Sequence, residues 1–119
     1  MSPTSSQSSS PGSGRLPDAE AVRLADLLSY APGSIVSRTL EKKKTGTITL
    51  FAFDAGQELS EHSTPYDAYV QVLDGEVVLT IGGKSVSAAA GETVLMPGNV
   101  PHAVTAVKPF KMLLTMIRE

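Results

Sequence analysis

Cysteine is absent from the chain, which removes disulfides, thiolate metal sites and a cysteine nucleophile at once. Basic side chains are missing where a polyanion would need them: between Thr47 and Val107 the only Lys or Arg is Lys84. With a formal net charge of −2 there is no basic stripe to displace counterions, so no nucleic-acid partner is expected. No apolar run approaches the roughly 20 residues of a membrane span. The N-terminus lacks a basic stretch followed by an apolar one, so it does not read as a secretory signal. These absences point to a cytoplasmic protein with no membrane partner. Histidine is scarce as well, and His62 and His102 are the only two.

The 119 residues suffice for one domain and not for two. Residues 1–14 (MSPTSSQSSSPGSG) are rich in Ser, Pro and Gly and carry nothing apolar except Met1. Such a segment buries too little surface to offset its ordering entropy. A disordered leader is therefore expected over residues 1–17, followed by a single domain over 18–119. Asp18 to Tyr30 (DAEAVRLADLLSY) fits a short amphipathic helix, with Asp18 as N-cap and Ala21, Leu24, Ala25 and Leu28 on one face. Ala31-Pro32-Gly33 stops it.

From Ser34 onward the period changes. SIVSRTLE and TGTITLFAF flank Lys42-Lys43-Lys44 and Thr45-Gly46, a β-hairpin whose lysines read as a solvated tip that discourages edge pairing rather than as an anion dock. The following runs, rich in Val, Leu, Ile and Thr, are split by Asp74-Gly75, Gly82-Gly83, Gly91, Pro97-Gly98 and Pro109. Turn signals at this spacing predict an all-β sandwich or barrel.

Two stretches of this β region resemble the motifs of the cupin superfamily. Gly56 precedes His62 by five intervening residues, and Val72-Leu73-Asp74-Gly75-Glu76 looks like the close of the first motif. Gly91, Pro97 and His102 fall at the spacings of the second. The resemblance implies a double-stranded β-helix, or jelly roll, and a homodimer paired through an outer sheet. Cupins that bind metal typically use three histidines and a glutamate. His62 and His102 stand at two of those places. Thr64 takes the place of another histidine, and the glutamate position falls on Ala68 or Tyr69, with Tyr69 the better alignment. Asn99 replaces a motif glycine and Ala106 the final asparagine.

Strand side chains alternate between faces; with His62 and Thr64 inward, the glutamate position that the resemblance implies places Tyr69, Gln71 and Leu73 inward on the next strand, with His102, Val104 and Ala106 lining the facing one. Asp67 is the nearest carboxylate able to reach in. Thr64, Tyr69, Gln71 and Asp67 are thus the expected pocket residues, and His62 and His102 the expected ligands of one divalent transition metal (Fe, Mn, Ni or Zn). The alternative is a metal-free barrel in which the same side chains polarise a binding pocket. A histidine near Tyr69 would also suit proton transfer at neutral pH. The lack of Lys and Arg disfavours a phosphorylated substrate, so the expected ligand is a small neutral or weakly polar molecule. Whether the chain is an enzyme stays open. Phe51, Phe53, Tyr66 and Phe110 read as core or dimer packing, and Met96, Met112 and Met116 as barrel filling rather than a soft-metal site.

Overall fold

Among the described residues, short runs of β-branched and apolar residues, punctuated by glycine, fold into eight strands: β1 (Ile35–Lys43), β2 (Gly46–Phe53), β3 (Glu58–His62), β4 (Asp67–Ile81), β5 (Lys84–Ala89), β6 (Thr93–Met96), β7 (His102–Thr105) and β8 (Phe110–Ile117). The computed structural model describes residues 14–119. Pairing is antiparallel throughout, and β4 belongs to two sheets. Its first half lies between β8 and β6 in the sheet that continues through β2 to β1. Its second half lies between β5 and β7, and β3 closes that sheet. The expected all-β double-stranded β-helix is what forms.

The core lies between the two sheets. Alternation along β4 buries Ala68, Val70 and Val72, and after the corner Val77 and Leu79. Phe53 and Phe110 are fully buried and stack at 4.7 Å between ring centroids, with Phe51 5.9 Å from Phe53. Phe51, Phe53 and Phe110 therefore serve the core. Tyr66 is half-buried under the Arg118 guanidinium, 5.2 Å from its ring centroid.

The punctuation divides into true turns and one corner. Ile81 pairs with Lys84 around Gly82-Gly83, and Lys43 with Gly46 around Lys44 and Thr45, so both hairpins form. Strand β1 runs further into the lysines than expected. Asp74-Gly75, expected as a turn, instead lies inside β4, where the register slips between Val72 and Asp74 and the strand passes from one sheet to the other.

The helix expected over Asp18–Tyr30 does not form; only Leu24–Asp26 makes a 3-10 turn. Isolated helices of this length are marginal in water, and Arg23 at the N-cap makes no capping bond. Ala19 is in the left-handed region at φ +53, which breaks any helix begun at Asp18. Tertiary contacts hold the segment instead. Lys111 Nζ donates to the Ala25 carbonyl at 2.6 Å and lies 5.0 Å from the Tyr30 ring centroid, and the Tyr30 hydroxyl donates to Asp74. The segment crosses the outer face of β2 and β8, where Leu16, Pro17, Leu24, Leu40, Ile48 and Leu113 line a shared groove. Of the leader expected over 1–17, residues 1–13 lie outside the described residues. The remainder is held at β1, where Arg38 donates to the Gly14 and Arg15 carbonyls. Among the described residues no helix is long and apolar enough to cross a membrane.

Burial, and then the hydrogen bond to the Asp74 carboxylate, push the Tyr30 phenol well above its ordinary value of 10.0. A raised folded-state value means that the tether is intact below the unfolded value and is lost as pH climbs through the folded one. In a spectrophotometric titration of the chain's three tyrosines, one is expected to ionise late. Tyr30→Phe is expected to remove that late step and to cost about 1 kcal/mol at neutral pH. If no late step is seen, the tether does not exist in solution.

Candidate functional site

His102 is the one buried polar or charged side chain among the described residues, 5% exposed. It begins β7, pairing with Ile81 of β4 on one side and His62 of β3 on the other. A bulge makes the second pairing. Leu59 faces Val104, and an unbroken ladder would then set Glu61 opposite His102. The extra residue sets His62 there instead. The rings meet edge to face, 4.4 Å apart between centroids and inclined at 67°.

Each imidazole is fixed by a backbone carbonyl two residues earlier. Nδ1 of His62 lies 2.8 Å from the Ser60 oxygen, and Nδ1 of His102 lies 3.2 Å from the Val100 oxygen. A carbonyl only accepts, so Nδ1 carries a proton in both rings, and in the neutral imidazole Nε2 keeps its lone pair. That tautomer is the one a metal-binding imidazole needs. Nε2 of His102 has no protein partner among the described residues, although the ring is buried. Buried polar atoms rarely go unpaired, so this nitrogen calls for a partner, a water or a ligand.

The two rings share a cavity of about 40 Å³ with Leu59, Ala68, Met96, Val104, Met112, Leu114 and Met116. The four polar residues expected to line it are placed elsewhere. Tyr69 is 44% exposed and Gln71 is exposed, because β4 turns Ala68, Val70 and Val72 inward, one residue out of phase with the expectation. The glutamate position therefore falls on Ala68, not Tyr69. The Asp67 carboxylate accepts from the Gly98 amide at 2.8 Å, and the Thr64 carbonyl accepts from the Asn99 amide at 2.6 Å. Both residues fasten the loop that leads to His102; neither lines the cavity. Asn99, in place of a motif glycine, is in the left-handed region at φ +63, which asparagine tolerates better than most residues. Ala106 is fully buried and pairs through its backbone with Gly56 and Gln57. Met96, Met112 and Met116, expected as barrel filling, prove to be wall residues of this cavity. Their signal was alternation, since Met112, Leu114 and Met116 share one face of β8.

The sequence matches the Cupin domain family over residues 49–117. The chain is a cupin. Among solved structures, it is similar to a conserved protein of unknown function from Streptococcus pyogenes, with TM-score 0.85, 35% identity and coverage of 88% of this chain and 92% of that one. It is also similar to a cupin 2 conserved barrel domain protein from Leptotrichia buccalis at 40% identity and TM-score 0.77, covering 79% of this chain but only 46% of that longer one. A cupin superfamily protein from Desulfitobacterium hafniense matches at 26% identity and TM-score 0.83, over 88% and 96% of the two chains. No curated protein matches. In this cupin, no group of three or more His, Asp, Glu or Cys side chains converges among the described residues. An all-protein cage with a carboxylate is therefore lacking.

Proposed function

We propose that this cupin is a small-ligand-binding barrel, acting in the cytoplasm, whose site is one transition-metal ion held by His62 and His102. The observation that carries the reading is the unpartnered, buried Nε2 of His102 beside a second imidazole in the same tautomer. The two rings are immediate neighbours, 4.4 Å apart between centroids, which supports a shared ligand. Imidazole nitrogens suit Zn, Cu, Ni and Fe better than an oxygen-seeking ion. A metal bound there supplies a Lewis acid able to polarise a ligand's carbonyl or hydroxyl. The chain's own part is to fix both rings, to keep water from the apolar floor and to leave His62 exposed at the mouth. A cavity of about 40 Å³ admits an ion and about one water, so the ligand is small and approaches from the His62 side.

Metal analysis of full-length protein purified without a nickel column tests this reading. About one equivalent of transition metal, with a melting temperature that falls on chelation, is expected. Metal-free protein indifferent to added Fe²⁺, Ni²⁺ or Zn²⁺ would leave the second reading, a metal-free and non-catalytic binding module. The edge-to-face packing of the two rings is what favours that alternative.

A homodimer is part of the proposal. Tyr69 lies opposite Leu95 on the outer face and one strand from Thr115, and Ile117 lies opposite Asp67. Tyr69, Leu95 and Ile117 are 44–51% exposed, an apolar cluster suited to burial against a second copy. Sedimentation is expected to show a dimer that Leu95→Glu converts to monomer. A monomeric wild type at micromolar concentration sinks the dimer.

A further inference from the structure

The cavity has an unusual wall. Met1 aside, every methionine of the chain lines it: Met96, Met112 and Met116. Met96 of β6 and Met116 of β8 are the direct cross-strand neighbours of Ala68, one on each side. Directly paired residues bring their side chains together on one face, and the alanine methyl between them leaves room for both thioethers. The remaining wall residues, Leu59, Val104 and Leu114, contribute only hydrocarbon. No oxygen-bearing side chain is part of the lining. The side chains able to offer a donor atom to the cavity are therefore two imidazoles and three thioethers.

We infer that this cavity is a soft-metal site for a monovalent copper ion, with Nε2 of His62 and His102 and the sulfurs of Met96 and Met116 as donors. The inference rests on the histidine-pair reading above and narrows it to one class of ion. Thioether and imidazole together favour Cu(I), whereas Mg, Ca and Mn take carboxylate, carbonyl or water oxygens. Charge argues the same way. A divalent ion here would stand in a low-dielectric cavity without an anionic ligand, and burying uncompensated charge is costly. A monovalent ion halves that charge. The cavity also leaves too little space for the several waters that complete the shell of a harder ion. Methionine's three rotatable bonds let the sulfurs close on the ion without moving the strands.

The test uses full-length, untagged protein and three probes: Cu(I) kept anaerobic and buffered by bicinchoninate, Ag(I) as its redox-inert analogue, and Zn(II). One equivalent of Cu(I) or Ag(I) is expected to bind, tighter than Zn(II), and X-ray absorption of the copper form is expected to show a sulfur shell. The volume-conserving pair Met96→Leu/Met116→Leu should keep the fold. It is expected to weaken Cu(I) at least tenfold and to leave Zn(II) within about twofold. His62→Ala/His102→Ala is expected to lose both metals. Cu(I) affinity unchanged in the leucine variant, or a copper spectrum without sulfur in the wild type, overturns the methionine assignment and leaves the histidine reading standing. The spectrum needs no variant, so a leucine protein that misfolds does not remove the test. Failure to bind any of the three probes overturns both readings.

Discussion

Protein carrying His62→Ala and His102→Ala together is expected to emerge from purification with less than about a tenth of an equivalent of metal. Residues that merely orient a metal ligand contribute about 10–100-fold to affinity. Removing both ligands themselves should cost more than that at each position. The variant should still fold. His62 is exposed at the mouth, and His102 gives the structure one carbonyl contact and one ring contact. Its melting temperature in chelator should therefore lie close to that of chelated wild type, while the increment that metal adds to the wild type should vanish. Single variants separate the roles further. His62→Ala leaves the buried ring with one open nitrogen and should bind weakly. His102→Ala leaves an exposed ring at an apolar hollow and should not bind at all. Metal retained at full stoichiometry in the double variant would move the site elsewhere in the molecule.

Gly75→Ala is expected to destabilise the fold by about 3 kcal/mol or more, the largest effect of any single methyl addition here. Two causes act together. Gly75 is in the left-handed region at φ +73, where a side chain costs roughly 1–2 kcal/mol. A Cβ at that position would also come 2.0 Å from the Pro109 carbonyl oxygen and 3.0 Å from the Phe110 Cα. Those are backbone atoms at and just before the start of β8, with no flexible end to swing aside. Relief would require β8 to retreat from the corner of β4, carrying Phe110 out of its stack on Phe53. Chemical denaturation should show a lower midpoint at unchanged slope. At Gly83 the left-handed conformation is similar but nothing lies within 4 Å of the added carbon. Gly83→Ala is the control, and equal losses at both positions would mean that the contact with β8 contributes nothing.

The strand content was readable because alternation and glycine punctuation follow from local geometry. The meeting of His62 and His102 was readable because their spacings matched two motifs in order. What escaped was phase. The glutamate position of the motif turns Tyr69 and Gln71 inward, yet Ala68, Val70 and Val72 form the evenly apolar set, and burial decides such ties. Asp74-Gly75 looked like a turn because a bulge that carries a strand round a corner needs the same left-handed glycine. The Asp18–Tyr30 segment has a helical period, but the Lys111 and Asp74 contacts that hold it elsewhere are distant in sequence. Burial of Met96 and Met112 agrees with reading the methionines as filling, but that three of them border the same small space as both rings follows from strand pairing distant in sequence.

Leu50 and Ala52 are almost fully buried, yet they lie on the face of β2 opposite Phe51 and Phe53, the face on which Ile48 shares a groove with the stretch that precedes β1, at Leu16, Pro17 and Leu24. That stretch works as a gasket. A chain started at Ser34 would keep every strand and both rings but would wet a strip of greasy wall. Its expected failing is clumping on storage, with the histidine centre itself intact.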